Sequence, residues 1–135
     1  LRRDVVEKAN SLEEGLVPML QFEKRGGLLP VIVQHERTLE VLMLGYTNRD
    51  ALDKTRESSL AHFYSTSRKR LWKKGESSGD LLEVKEILID CDQDSLVYKV
   101  EPIGGGVCHT RGNDGEHRPT CFYRRLEDEG LVGLH

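Results

Sequence analysis

Four apolar runs of strand length constrain the fold of this chain more than any other feature. They are LLPVIVQ (28–34), LEVLMLGY (39–46), LLEVKEILID (81–90) and SLVYKVE (95–101). Apolar β-branched residues are frequent in them, and the last run alternates apolar and polar positions, as a strand with one buried face does. Only a short segment around Arg37 separates the first two runs, which predicts a hairpin. We therefore expect a predominantly β structure.

Helical signals are fewer and shorter. Residues 5–14 could form one helix, and Asn48 is a favourable N-cap for a second helix that ends near Glu57. Residues 60–66 are rich in β-formers, whereas residues 67–80 have no apolar period and predict a loop. No linker or internal repeat interrupts the pattern. The sequence thus predicts the α+β class, mostly strand, in a single compact domain over residues 1–135.

Bulk properties exclude several functional classes. A net charge of −3 argues against a general nucleic-acid or membrane binder, and no apolar run approaches the ~20 residues of a transmembrane helix. No signal peptide is recognisable, so we expect a cytoplasmic protein. The three cysteines are a poor disulfide framework, because their number is odd. In a reducing compartment, clustered thiols are more often metal ligands or reactive groups.

The pentapeptide DCDQD (90–94) combines three carboxylates with a thiol. If it continues the preceding strand, Asp90, Asp92 and Asp94 point to one face and Cys91 to the other, because strand side chains alternate. Carboxylates suit Mg²⁺ or Ca²⁺, and a thiolate suits zinc. Two alternatives remain open. The segment could be a plain turn with a buried cysteine, or a calcium loop of the EF-hand type, although its flanks look like strands.

The cysteines predict a zinc site whose type the spacing leaves open. Cys91, Cys108 and Cys121 could take a fourth ligand from His109 or His117, which would give a closed structural site. Three thiolates and a water molecule would instead form the open arrangement of a catalytic zinc. The spacing lacks the C-x-x-C motif of common structural modules, which favours ligands from separate elements or separate subunits. Catalytic zinc, structural zinc and plain thiols all remain possible from the spacing.

A basic segment, residues 68–74, surrounds Trp72, the only tryptophan of the chain. Arginine and lysine side chains could hold phosphates while the indole stacks on a flat ring, and nearby hydroxyls could add donors. Two other interpretations remain open. The segment could be a solvated loop anchored in the core by its tryptophan, or part of a small zinc-stapled RNA-binding module.

Six blocks occur together and in a fixed order, and their joint match is far more specific than any one of them. They are GLLPVIVQ, EVLMLGYTNRDALDKT, YSTSRKRLWKKGESSG, DCDQD, CHT and CFYRR. In this the sequence resembles the phosphoribosyl-AMP cyclohydrolase family, from about residue 26 to residue 126. The resemblance implies a hydrolase that opens the adenine ring of N1-(5-phosphoribosyl)-AMP between N1 and C6, the third step of histidine biosynthesis. It also implies zinc, magnesium and an interlocked homodimer.

The resemblance also implies roles for individual residues. Asp90, Asp92 and Asp94 match the magnesium ligands of the family, and the three cysteines match its zinc thiolates, with Cys91 contributed by the partner subunit. His109 matches a residue implicated in proton transfer. The residues that we assign to substrate binding lie in and around the basic segment, and one of them, Glu76, is an alternative proton carrier. They are Ser65, Arg68, Trp72, Lys74, Glu76 and Ser78.

The chain departs from the family pattern at two places. Residues 111–120 separate Thr110 from Cys121 by roughly six residues more than usual. Because long loops close at small entropic cost, Cys108 and Cys121 can still come together. Asp80 stands where the motif SSG is more often followed by His or Asn. The sequence assigns no role to this insertion, to its His117 or to Asp80. The family also occurs fused to a pyrophosphohydrolase domain, which we do not expect in a chain that ends at His135.

Overall fold

The structure, a computed structural model that describes residues 11–134, contains eight strands and an α-helix of ten residues, joined by turns and loops. A 3₁₀-helix, Phe22–Arg25, precedes the first strand. The other elements are β1 (Leu29–His35), β2 (Val41–Thr47), α1 (Arg49–Ser58), β3 (His62–Ser65), β4 (Arg70–Lys73), β5 (Leu81–Ile89), β6 (Leu96–Ile103), β7 (Arg124–Glu127) and β8 (Gly130–Gly133). The predicted α+β class, predominantly β, is confirmed.

The four apolar runs form one sheet with the strand order β2-β1-β6-β5. The predicted hairpin is confirmed, because β1 pairs with β2 in antiparallel fashion. Strand β1 also pairs with β6, but in parallel, so the centre of the sheet joins two distant parts of the chain. Strands β5 and β6 are antiparallel. Two-stranded ribbons, β3-β4 and β7-β8, complete the structure.

The helix α1 packs one side against the core. Asn48 caps it, since the side-chain oxygen accepts a hydrogen bond of 2.8 Å from the Ala51 amide. Ala51, Leu52 and Thr55 are buried. Residues 11–14 are also helical, and the rest of the helix predicted for residues 5–14 lies outside the described residues. Among residues 11–134, no helix is long and apolar enough to cross a membrane.

One local prediction was wrong, since residues 67–80 are not wholly a loop: Arg70–Lys73 form β4 and pair with β3. Of the alternatives left open for residues 90–94, the plain turn is confirmed, because β5 ends at Ile89, but Cys91 is exposed in it rather than buried. The Asp90 carboxylate accepts hydrogen bonds from the Asp94 and Ser95 amides, at 2.9 and 3.1 Å, and thereby closes a turn between the strands. Because strands flank this turn, the EF-hand alternative, which requires helices, is also wrong.

Close packing at Gly45 gives a test of the fold. A Cβ atom at this position of β2 would lie 2.7 Å from the buried ring of Phe63. We therefore expect Gly45→Ala to lower the free energy of unfolding by about 1–3 kcal/mol, because the ring or the strand must move. Urea denaturation measures the change. Gly133→Ala is the control, since a Cβ there has no neighbour within 4 Å, and equal stability of the two variants would contradict the packing.

Candidate active site

A cavity of about 430 Å³ lies between the edge strand β2 and the β3-β4 ribbon. Residues 43–46 of β2 form one wall, and residues 63–68 with side chains of β4 form the other. A cavity of this size suits a small-molecule ligand. Its walls combine aromatic rings, hydroxyl groups and basic side chains, which together suit a phosphorylated ligand with a flat ring.

The cavity brings together most of the residues predicted to bind a substrate. Ser65, Arg68, Trp72, Lys74 and Glu76 line it, and so does His109, which arrives from the loop after β6. Ser78 does not line the cavity. Its hydroxyl instead accepts a hydrogen bond of 3.2 Å from the Asp80 amide.

Several lining residues were missed in the sequence. Tyr46 and Tyr64 line the cavity, as does Leu44. Arg70 of the predicted basic segment lines it too, although it was not among the individual residues assigned to the substrate. Tyr46 is exposed at the end of β2, between buried Gly45 and Thr47, and it reaches the cavity through the packing of β2 beside β3. The position of Tyr64 depends on the pairing of β3 with β4, which the sequence pattern did not predict.

The Trp72 side chain lines the cavity and also packs against the hydrophobic core. Its ring lies 5.3 Å from that of Phe63, between centroids, and Trp72 packs on the edge of the hydrophobic core. The Lys74 ammonium lies 6.0 Å from the centre of the indole. Arg70 faces Glu76, with 3.5 Å between the charged groups. The tryptophan is therefore both a core anchor and a cavity wall, and basic groups surround it.

The thiols of Cys108 and Cys121 are neighbours in the structure. Cys108 is buried, and its sulfur lies 2.9 Å from the Thr110 hydroxyl. Burial opposes ionisation of this thiol, but hydrogen bonds from the Thr110 side chain and backbone hold the pKa of Cys108 below its usual value. Burial, together with the neighbouring charge of Cys108, raises the pKa of Cys121 to about 11. The ionisation of Cys108 thus opposes that of Cys121, and a soft divalent cation between the two sulfurs would stabilise both thiolates.

The third thiol lies elsewhere. Cys91 is exposed in the turn between β5 and β6. Among residues 11–134, the three cysteines do not gather into one group of potential metal ligands within a single chain. Neither His109 nor His117 completes such a group with the cysteines of the described chain. A closed site of three cysteines and one histidine is therefore not formed within one subunit.

The three aspartates of the turn do gather. One carboxylate oxygen from each of Asp90, Asp92 and Asp94 lies within 4.8 Å of the others. Lys24 donates to Asp94 at 2.8 Å and to Asp92 at 3.4 Å, and Arg25 donates to Asp94 at 2.9 Å. The Lys24 hydrogen bond, aided by Arg25 and opposed by burial, holds the pKa of Asp94 well below its usual range. Lys24 and Arg25 thus partly neutralise the cluster, and its carboxylate oxygens are ligands of the type that Mg²⁺ takes.

The outer face of the four-stranded sheet carries an exposed apolar row. Leu44 pairs with Ile32, Ile32 with Val97, and Val97 with Leu88, so the row crosses all four strands. The exposed fractions of Leu44, Ile32 and Leu88 are 50%, 41% and 40%. An apolar row of this extent on a sheet face is typical of a surface that packs against another surface.

Comparison with known proteins identifies a family for the chain. A family model described as phosphoribosyl-AMP cyclohydrolase matches residues 43–123. The chain is 50% identical over 113 residues to the phosphoribosyl-AMP cyclohydrolase of Cenarchaeum symbiosum, which covers 84% of this chain and 98% of the relative. It is 48% identical over 113 residues to the phosphoribosyl-AMP cyclohydrolase of Desulfatibacillum aliphaticivorans, and this match covers 84% of this chain and 86% of the relative. It is 50% identical over 108 residues to the phosphoribosyl-AMP cyclohydrolase of Nitrosopumilus maritimus, and this match covers 80% of this chain and 94% of the relative. The chain belongs to the phosphoribosyl-AMP cyclohydrolase family.

Proposed function

We propose that this chain hydrolyses N1-(5-phosphoribosyl)-AMP, opening its adenine ring between N1 and C6 in the third step of histidine biosynthesis. The observation that carries the proposal is the cavity, which combines aromatic and basic walls with His109. The relatives that the chain matches over most of its length carry the name of this activity.

The walls of the cavity suit the two ends of such a substrate. Arg68, Arg70 and Lys74 supply positive charge for the two phosphates, and Ser65 supplies a hydroxyl. Trp72 offers an aromatic surface for the purine ring. The Trp72 ring is already packed against Phe63, which restricts its motion and favours one orientation of the purine.

We further propose that zinc is held by Cys108 and Cys121 of one chain and by Cys91 of the partner subunit. The paired thiols and the separate position of Cys91 support this arrangement. When bound, a zinc ion on thiolates lowers the pKa of a water molecule and so supplies the nucleophile for the reaction. Asp90, Asp92 and Asp94 would hold Mg²⁺, which would offset phosphate charge or orient the ribose.

A homodimer follows from the proposal that Cys91 of a second chain completes the zinc site. A site that takes Cys91 from a second copy is incomplete in one chain, and the exposed apolar row offers a surface on which a second sheet could pack. We propose that two copies of this chain pack through this face.

His109 is the proposed proton carrier. It lines the cavity and follows Cys108 directly, so its imidazole can serve a reaction beside the thiols. His109 would accept a proton as water adds to C6 of the purine. It would return that proton to N1 as the C6–N1 bond breaks, leaving a carboxamide and a formimino group. Glu76, which faces Arg70, is the alternative carrier.

Replacing His109 tests this role. We expect His109→Ala to lower kcat by about 10²-fold or more, because proton transfer would be lost, with little change in KM. Steady-state kinetics measure both constants, and zinc content is the control, which should stay that of the unaltered protein. A change confined to KM would reassign His109 to substrate binding.

The proposed activity itself is tested by metal-quantified turnover of phosphoribosyl-AMP. We expect ring opening with about one zinc per chain, loss of activity on treatment with a zinc chelator, and recovery on zinc addition. A preparation that contains zinc and leaves the substrate intact would contradict the activity. Turnover unaffected by complete removal of zinc would contradict the metal dependence.

A further inference from the structure

The two departures of this sequence from its family pattern meet in space. Asp80 follows the SSG motif, and His117 lies in the insertion over residues 111–120. The Asp80 Oδ2 and His117 Nε2 atoms are 4.0 Å apart, and both side chains are largely buried, with exposed fractions of 17% and 23%. Two departures separated by a long stretch of chain are thus neighbours in the fold.

The other oxygen of Asp80 reaches the glycine run after β6. Asp80 Oδ1 accepts a hydrogen bond of 2.7 Å from the Gly105 amide. A Cβ atom would lie 3.0 Å from this oxygen at Gly104 and 3.1 Å from it at Gly105, so glycine at both positions lets the carboxylate approach the backbone. This hydrogen bond, opposed by burial, keeps the pKa of Asp80 below its usual value.

The insertion also touches the segment that carries Cys108. The Cys108 amide donates to the Arg118 carbonyl at 3.0 Å, and the Arg118 amide donates to the Thr110 carbonyl at 3.0 Å. A Cβ at Gly106 would lie only 2.1 Å from the His117 carbonyl, so the two backbones are in direct contact. The position of Cys108 therefore depends on how the glycine run and the insertion fit together.

We propose that Asp80 is a positioning residue for the zinc thiolates. Its carboxylate accepts a hydrogen bond from the Gly105 amide and lies beside the His117 imidazole, so it contacts both the glycine run and the insertion, and these two segments position Cys108 beside Cys121. Asp80 acts through the backbone and touches neither metal nor substrate. The inference rests on the proposed function, in which these thiols bind zinc.

The test compares Asp80→Ala with Asp80→Asn, His117→Ala and a matched control. Asp114→Ala is the control, because Asp114 is an exposed carboxylate of the same insertion that accepts only from the Glu116 amide. Zinc affinity, measured by competition with a chromophoric chelator, should fall about 10- to 100-fold in Asp80→Ala, the usual size of an outer-shell effect. Asp114→Ala should bind zinc as the unaltered protein does.

Amide hydrogen exchange of the metal-free protein gives a second readout. The Gly105 and Cys108 amides should exchange faster in Asp80→Ala, because the bond at Gly105 is lost and the insertion is released. Asp80→Asn keeps an oxygen acceptor and should restore most of the protection and most of the zinc affinity. His117→Ala removes one of the two contacts and should give an intermediate loss.

The outcomes separate the inference from the proposed function. Zinc affinity and exchange in Asp80→Ala equal to those of Asp114→Ala would overturn the inference. If Asp80→Ala fails to fold, a His117→Ala protein with the zinc affinity and exchange of the unaltered protein would overturn it. Unaltered protein that binds zinc tightly and leaves phosphoribosyl-AMP intact would remove the proposed activity alone. In that case the exchange and affinity changes would still support a positioning role for Asp80.

Discussion

Replacing Cys108 by alanine should abolish turnover and remove zinc from the protein. The Cys108 thiol is buried and accepts a hydrogen bond from the Thr110 amide, and the Cys108 amide donates to the Arg118 carbonyl. No other thiol or imidazole of the described chain joins Cys108 and Cys121 in a group of metal ligands. A zinc site that loses one of three protein ligands has no replacement within the subunit, so we expect metal content near zero.

The control for this variant is Val107→Ala, which removes buried side-chain atoms at the adjacent position and leaves the thiols in place. It should lower stability and keep the zinc. Zinc is measured by elemental analysis of the dialysed protein, and turnover by the absorbance change on ring opening. Full activity or stoichiometric zinc in Cys108→Ala would refute the proposed zinc site.

Mixing two inactive proteins should restore activity if the zinc site is shared. In a heterodimer of Cys91→Ser and Cys121→Ser subunits, one site combines the intact Cys108 and Cys121 of the first chain with the intact Cys91 of the second. Its other site carries both substitutions. Random reassortment makes half of the dimers mixed, so about a quarter of the original activity should return.

A second mixture provides the matched control. Cys108→Ala and Cys121→Ser alter thiols on the same side of the site, so every heterodimer retains two damaged sites and no activity should return. The two mixtures are compared after identical dissociation and reassociation, with zinc in excess. Equal activities of the two mixtures would refute a site shared between subunits, whatever their absolute level.

The sequence predicted the sheet well because its strands are encoded by local alternation and by their apolar content. The cap at Asn48 and the hairpin around Arg37 are local as well, and both were found. Strand β4 was missed, since its basic residues show no apolar period and its strand conformation depends on pairing with β3. The turn at residues 90–94 was left open beside strand extension, because it depends on hydrogen bonds that the Asp90 carboxylate accepts from the Asp94 and Ser95 amides.

The site was predicted unevenly for a related reason. Side chains of the basic segment lie close together in sequence, and most of them line one cavity. Tyr46 reaches that cavity through the packing of β2 beside β3, which no local pattern encodes. The contact of Asp80 with His117 likewise depends on the path of the insertion. The sequence showed that Asp80 and the insertion with His117 differ from the family pattern. It could not show that these two residues are neighbours.

The parallel pairing of β1 with β6 has a consequence for how the chain reaches its native state. During synthesis the β1-β2 hairpin leaves the ribosome long before Leu96, the residue that Val31 of β1 must pair with, has been made. High contact order of this kind slows folding, and until β6 arrives one edge of β1 stays open to strands of other chains. We expect nascent chains truncated before Leu96 to be prone to aggregation and to depend on chaperones.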